Sequence, residues 1–175
     1  VEKQMVSKPY IDVTLSVLEN FGIEVKNQGY KAFSIQPQEY QATNYTVGGD
    51  ATAATYWLSV AHLHQGRVDF TNMDEASFQG DAAYEKMLTA CINHVALERT
   101  VDMNSMPDAA MTLAVCAPFF KGETTITGLS TLRIKETDRL AALETELKKV
   151  GAEVSLGENS IIIDGWTEFP HPPTG

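Results

Sequence analysis

Lys135-Glu136-Thr137-Asp138-Arg139 decides how this chain is read. Two cations, two anions and a threonine fill five consecutive positions, and the apolar residues beyond them, Leu140, Leu143, Leu147 and Val150, recur at helical spacing. The stretch is therefore read as the opening of a helix. A helix start asks for a capping side chain and gains from an acid near its dipole. It has no use for Lys135 and Arg139, whose charge opposes that dipole. Free backbone N–H groups with a lysine and an arginine at one helix end form a site for phosphate or carboxylate. Glu136 in their midst is placed to handle a proton. The competing reading is a solvated, charged first turn.

Outward from this stretch the chain repeats itself. The helix that ends at Val150 runs into Gly151-Ala152-Glu153-Val154, and an earlier amphipathic stretch, Ile11, Leu15, Leu18 and Phe21, runs into Gly22-Ile23-Glu24-Val25. A further strand is expected after each, at Ala32–Ile35 and Ser160–Ile163, and Tyr84–Val95 reads as a degraded third copy of the helix. A second motif is Asp-Ala followed by small residues, at Asp50, Asp81 and Asp108, each read as a capped helix start. Two of those helices lead through Gly66 and Gly122 to β-rich runs, Arg67–Phe70 and Thr124–Thr127. In order, this gives helix–strand–helix–strand–strand twice, from about residue 47 to 101 and from about 102 to 165. The predicted fold class is α/β (α+β), built of βαβαββ units with helices on mixed sheets. Residues 36–46 are polar and aperiodic and read as a linker, which divides the chain into 1–46 and 47–175. A chain that begins in mid-unit suggests a piece of something larger.

Composition narrows the function. At 43% hydrophobic and 21% charged residues the chain builds a core, and its net charge of −10 repels nucleic acid and membrane surfaces. No apolar run approaches a membrane span and no signal peptide is visible. Cys91 and Cys116 lie among apolar residues and read as buried, reduced thiols in a cytosol-like compartment. His62 and His64 point to different helix faces, so a metal site is not expected there. Met87, Met111, Trp57, Phe119 and Phe120 read as core.

Lys135-Glu136-Thr137-Asp138-Arg139-Leu140 followed by Val150–Val154 resembles the signature of the EPSP synthases (5-enolpyruvylshikimate-3-phosphate synthases). Val6-Ser7-Lys8-Pro9-Tyr10-Ile11-Asp12, Gly49–Ala54 and Pro107–Thr112 resemble other family segments in the same order. The resemblance spans nearly the whole chain but less than half of a family member. The family's N-terminal Lys-Ser segment, its later His-Arg pair and its C-terminal Lys have no counterpart. The resemblance implies a two-domain inverted α/β barrel, incomplete here, with residues up to about 46 in one lobe. It implies transfer of the enolpyruvyl group of phosphoenolpyruvate to the 5-hydroxyl of shikimate 3-phosphate, with release of phosphate. The partners are these anionic small molecules, with no cofactor, metal, nucleic acid or membrane. A monomeric full-length protein in the cytoplasm, or in a plastid if from a plant, is expected, and the chain by itself is expected to be inactive.

The same resemblance assigns roles. Asp108 matches the carboxylate that contacts the shikimate hydroxyls, as base or orienting group, although its Asp-Ala context alone suits a plain cap. Glu136 matches the acid near phosphoenolpyruvate and is the candidate for proton transfer to the methylene. Lys135 matches a lysine that reaches the shikimate hydroxyls, and Arg139 an arginine on the phosphoenolpyruvate carboxylate. Ser7 and Tyr10 match groups that hold shikimate 3-phosphate. Thr131 stands where the family usually has an asparagine for that ligand. Two further departures are a shortened stretch from Cys91 to Thr100 that lacks a hairpin, and Leu88 in place of a helix-ending Gly. The rivals are the sister enolpyruvyl transferase acting on a UDP-sugar and a non-catalytic domain of the same fold.

Overall fold

The repeat read at Gly22 and Gly151 is a repeat of structure. In the computed structural model, which describes residues 8–73 and 79–167, α1 (Lys8–Asn20) runs to Gly22 and α5 (Arg139–Lys149) to Gly151. Both glycines are left-handed, at φ 78° and 83°. Gly22 N–H donates to Glu19 O and Ile23 N–H to Leu18 O; Gly151 N–H donates to Lys148 O and Ala152 N–H to Leu147 O. Such a cap satisfies carbonyls that the last turn leaves over, and glycine adopts it without a Cβ penalty. Each cap feeds an antiparallel pair: β1 (Val25–Asn27) with β2 (Phe33–Ile35), and β5 (Val154–Leu156) with β6 (Ile161–Asp164).

The second pair belongs to a four-stranded sheet of order β3-β4-β6-β5, with β3 at Glu98–Asp102 and β4 at Glu123–Thr127. β3 and β4 are parallel and the other pairs antiparallel. A parallel pair needs a crossover, supplied by α4 (Ala110–Cys116). The order β3-α4-β4-α5-β5-β6 is thus one complete βαβαββ unit, with β3 as its leading strand. Thr124, Ile126, Ile161 and Ile163 point to one face of this sheet, where they meet Leu113, Leu140, Leu143 and Leu147. Each fully buried leucine or isoleucine contributes roughly 1.5–3 kcal/mol. Val150, the last position of the expected stripe, is exposed at the helix end.

α2 (Ala51–Leu63) turns Ala51, Ala54, Thr55 and Ser59 inward, small enough for close approach to α3 (Tyr84–Ile92) and α4. Thr55 Oγ1 meets Thr112 Oγ1 at 2.9 Å and Ser59 Oγ meets the Tyr84 hydroxyl at 2.8 Å. The opposite face carries Tyr56, Trp57 and Val60, so Trp57 is 64% exposed rather than core. Phe119 is also partly exposed, packed edge-on to Trp166, whereas Phe120 is buried and Met87 and Met111 pack against the core. Leu88 lies within α3 and is buried, so the helix continues where a Gly would have ended it. Arg67–Phe70 forms no strand. A strand needs a neighbour to pair with, and Arg67 here forks onto Asp69 instead, at 2.8 and 2.9 Å. Between β2 and α2, residues 36–50 form no regular element.

Candidate active site

α5 begins later than its charged prelude. Its cap is Asp138, whose Oδ1 accepts from the N–H groups of Leu140 and Ala141, both at 3.1 Å. Lys135, Glu136 and Thr137 lie in the connection from a 3-10 turn over Ser130–Ile134. The free helix N–H groups expected for an anion are therefore not free: Asp138 takes two of them. The N–H of Ala141 chiefly, and Arg133 as well, hold the Asp138 carboxyl below the usual range. Arg133 Nη1 reaches Asp138 Oδ2 at 3.0 Å, and its other nitrogens donate to the carbonyls of Gly157 and Glu158. The cap is thereby tied to the turn between β5 and β6.

The cations beside that cap point at Asp108. Arg139 Nη1 lies 2.7 Å and Lys135 Nζ 3.3 Å from Asp108 Oδ1. Asp108 precedes α4 but caps nothing, since the cap position is Ala109 without a side-chain bond. This excludes the plain-cap reading of Asp108. The remaining nitrogens of Arg139, Nε and Nη2, form a two-point contact with Glu136 at 2.9 and 3.0 Å. The motif thus neutralises part of its own charge. The backbone N–H of Glu136 first, then Arg139, hold this exposed carboxyl below its ordinary range.

Tyr10 reaches the same place from α1. Its hydroxyl is 3.3 Å from Asp108 Oδ2 and 2.9 Å from Asp81 Oδ2. Burial foremost, opposed by the Thr52 hydroxyl and joined by Asp81, pushes the Tyr10 phenol far above its usual range, so it stays protonated. Asp81 departs from the capping expectation. It sits in a 3-10 turn, Gly80–Ala83, is 2% exposed, and accepts from Thr52 Oγ1 at 2.8 Å as well as from Tyr10. Asp50 alone of the three Asp-Ala residues is a helix cap, to Ala53 N–H at 3.0 Å.

These groups line an open pocket of about 450 Å³, bounded by Thr52, Tyr56, Asp108, Lys135, Glu136 and Arg139. A larger cleft of about 750 Å³, between Lys121, Glu153, Asp164 and Trp166, gathers no comparable set. Of the residues expected at the site, Asp108, Glu136, Lys135, Arg139 and Tyr10 come together. Thr131 lies on the 3-10 turn with its hydroxyl buried and, among the described residues, unbonded, and it is not part of the pocket wall. Ser7 lies outside the described residues. Thr52 and Asp81 escaped the sequence reading; Gly-Asp-Ala is their only local signal, and it is shared with a simple cap. Among the described residues no cluster of His, Cys, Asp and Glu is arranged for a metal, and His62 is bonded to Leu58 O and Thr89. Among the described residues no helix is long and apolar enough to cross a membrane.

The family model of EPSP synthase (3-phosphoshikimate 1-carboxyvinyltransferase) matches residues 1–171. The 3-phosphoshikimate 1-carboxyvinyltransferase of Cronobacter sakazakii is 43% identical over 178 residues, which covers 93% of this chain and 42% of that protein. The enzyme of that name from Pasteurella multocida is 43% identical and covers 96% of this chain and 42% of its own length. The chain therefore spans well under half the length of these relatives. The solved EPSP synthase of Acinetobacter baumannii superposes on 89% of this chain and 40% of its own, with a TM-score of 0.68 at 21% identity. That likeness carries the fold, an incomplete inverted α/β barrel. With a family model matched almost end to end and the motif residues gathered on one pocket, the chain belongs to the EPSP synthase family.

Proposed function

We propose that this pocket is part of the active site for enolpyruvyl transfer from phosphoenolpyruvate to the 5-hydroxyl of shikimate 3-phosphate. The observation that carries the reading is one acceptor, Asp108, held between two cations and a tyrosine, with a second acid one residue from Lys135. The reaction asks for a base, an acid and cations for anionic substrates. The methylene carbon gains a proton, the hydroxyl oxygen bonds to the neighbouring carbon and gives up its own proton. The bond to phosphate then breaks as a methyl proton leaves. Asp108 takes the hydroxyl proton or orients that hydroxyl. Glu136 passes the proton at the methylene.

In the ligand-free protein Glu136 is a poor acid, because its own N–H and Arg139 favour the carboxylate. Arg139 resolves this. A guanidinium offers a planar fork, and a ligand carboxylate competes with Glu136 for Nε and Nη2. Once displaced, Glu136 loses one of the two groups that favour its carboxylate, keeps its own N–H, and takes up a proton beside the enol more readily than in the ligand-free protein. Binding of the substrate thus arms the acid.

The proposal extends to the missing parts of the relatives' length. The 175 residues bind substrate weakly and do not turn it over. The working protein is monomeric, in a reducing compartment such as the cytoplasm or a plastid, which the two free buried thiols support. The test follows the Glu136 carboxyl carbon by NMR while shikimate 3-phosphate and phosphoenolpyruvate are added. The titration of Glu136 should move to higher pH with both ligands present. An unchanged titration at saturating ligand would rule out the exchange of partners on Arg139.

A further inference from the structure

We propose that Asp81 is a positioning residue of this pocket: a single buried carboxylate oxygen holds the hydroxyls of Tyr10 and Thr52 at its wall. The inference rests on the functional reading above for its ligand, and on geometry alone for the hold itself. The two hydroxyls come from separate elements, Tyr10 from α1 and Thr52 from the first turn of α2, and they converge on Oδ2 at 2.9 and 2.8 Å. Thr52 lines the pocket, and Tyr10 touches Asp108, which also lines it. The turn that carries Asp81 is itself fixed against the segment leading to Asp108. A Cβ on Gly80 would lie 2.2 Å from the carbonyl oxygen of Ser105, so only glycine allows this approach.

Stability alone does not account for Asp81. It is 2% exposed and, among the described residues, forms no ion pair and leaves its Oδ1 without a hydrogen-bond partner. Burying a carboxylate this way is unfavourable, and an apolar residue of similar size would be better tolerated in a purely structural role. What Asp81 achieves is direction. A phenol has one hydrogen and accepts through its oxygen. The shorter contact directs the Tyr10 hydrogen to Asp81, which leaves the oxygen of Tyr10 facing Asp108 Oδ2 as an acceptor. When Asp108 gains a proton from a substrate hydroxyl, that oxygen is in place to receive its hydrogen bond. Asp81 thus acts on the reaction through Tyr10 and touches no substrate.

The experiment uses the 175-residue chain with ring-labelled tyrosine and carboxyl-labelled aspartate. The ligand-free chain should show a slowly exchanging Tyr10 hydroxyl proton by NMR, lost in Asp81→Asn while circular dichroism reports an intact fold. Should Asp81→Asn fail to fold, Tyr10→Phe at its half-exposed site serves in reverse and should shift the Asp81 carboxyl signal. Calorimetry with shikimate 3-phosphate should show about tenfold weaker binding for Asp81→Asn and for Tyr10→Phe. The double variant should be no weaker than either, because the two side chains act as one unit. A Tyr10 proton unchanged in folded Asp81→Asn, an Asp81 signal unmoved by Tyr10→Phe, or additive losses would overturn the proposal. An intact NMR coupling without any shikimate 3-phosphate binding would uphold the hold on Tyr10 and overturn the functional reading.

Discussion

Arg139 is the residue on which the pocket turns, because it serves two acids at once: Nη1 on Asp108, and Nε with Nη2 on Glu136. A lysine at 139 keeps the charge and cannot make both contacts. Arg139→Lys should weaken shikimate 3-phosphate with phosphoenolpyruvate by about tenfold or more in calorimetry, a loss of roughly 1.4 kcal/mol or above. Equal affinity would show that only charge matters at this position. At this scale the sequence was legible where charge pattern spoke and opaque where distance decided. Lys135, Arg139 and Glu136 stand together in the chain and line one pocket in the fold. Asp50, Asp81 and Asp108 share one local context and have three fates: a helix cap, a buried anchor for two hydroxyls, and a pocket acceptor. Those fates are set by partners far off in sequence, Tyr10 for Asp81 and Arg139 for Asp108, which no local reading supplies.

Among elements, α5 sets the geometry, since it starts at Arg139 and its cap fixes where the cations emerge. The Asp138 carboxyl is held below its ordinary range in the fold by the N–H of Ala141 first. The stabilisation is therefore present above the carboxyl's unfolded value, near 3.9, and is lost as pH falls through the lower folded value. Urea unfolding across this acid range should show a steeper loss of stability for the native chain than for Asp138→Asn, whose amide caps at any pH. Parallel curves would contradict this linkage. At the other end of the helix, Gly151→Ala forces a Cβ into a left-handed residue and should cost about 1 kcal/mol in thermal denaturation. Leu140→Ala removes a fully buried side chain of the core and should cost about 2–5 kcal/mol. The helix and its glycine exit were readable from spacing and residue type, whereas its cap at Asp138, which occupies the N–H groups expected to be free, was not. Arg67–Phe70, expected as a strand, forms none, because β-rich composition cannot reveal the absence of a pairing neighbour. Composition is equally silent on β3, which leads the βαβαββ unit instead of closing the stretch before it, a fact that lies in its parallel register with β4.

The whole molecule is acidic, with a net charge of −10, and yet it presents Lys135 and Arg139 to one pocket. Under the proposed function, anionic ligands enter against the general field and are held by local contacts. Salt screens that long-range repulsion, but it also weakens the exposed pairs that compete for the cations. The α/β fold and the family were legible in the sequence because four ordered motifs span the chain, while the expected repeat over about 47 to 101 is not matched by strands before β3 among the described residues. The convergence of α1, α2, α4 and the approach to α5 on one pocket was not legible, since it depends on contacts between elements up to 98 residues apart.

Under the proposed function, these elements together recognise an anionic substrate through the stretch at Lys135–Arg139. Calorimetric titration of the chain with shikimate 3-phosphate, beside the Lys135→Ala variant, tests it most directly. Saturable binding is expected of the native chain, about tenfold or more weaker in the variant, with the fold unchanged. Equal binding by both chains, or no binding by the native chain at millimolar ligand, would contradict it.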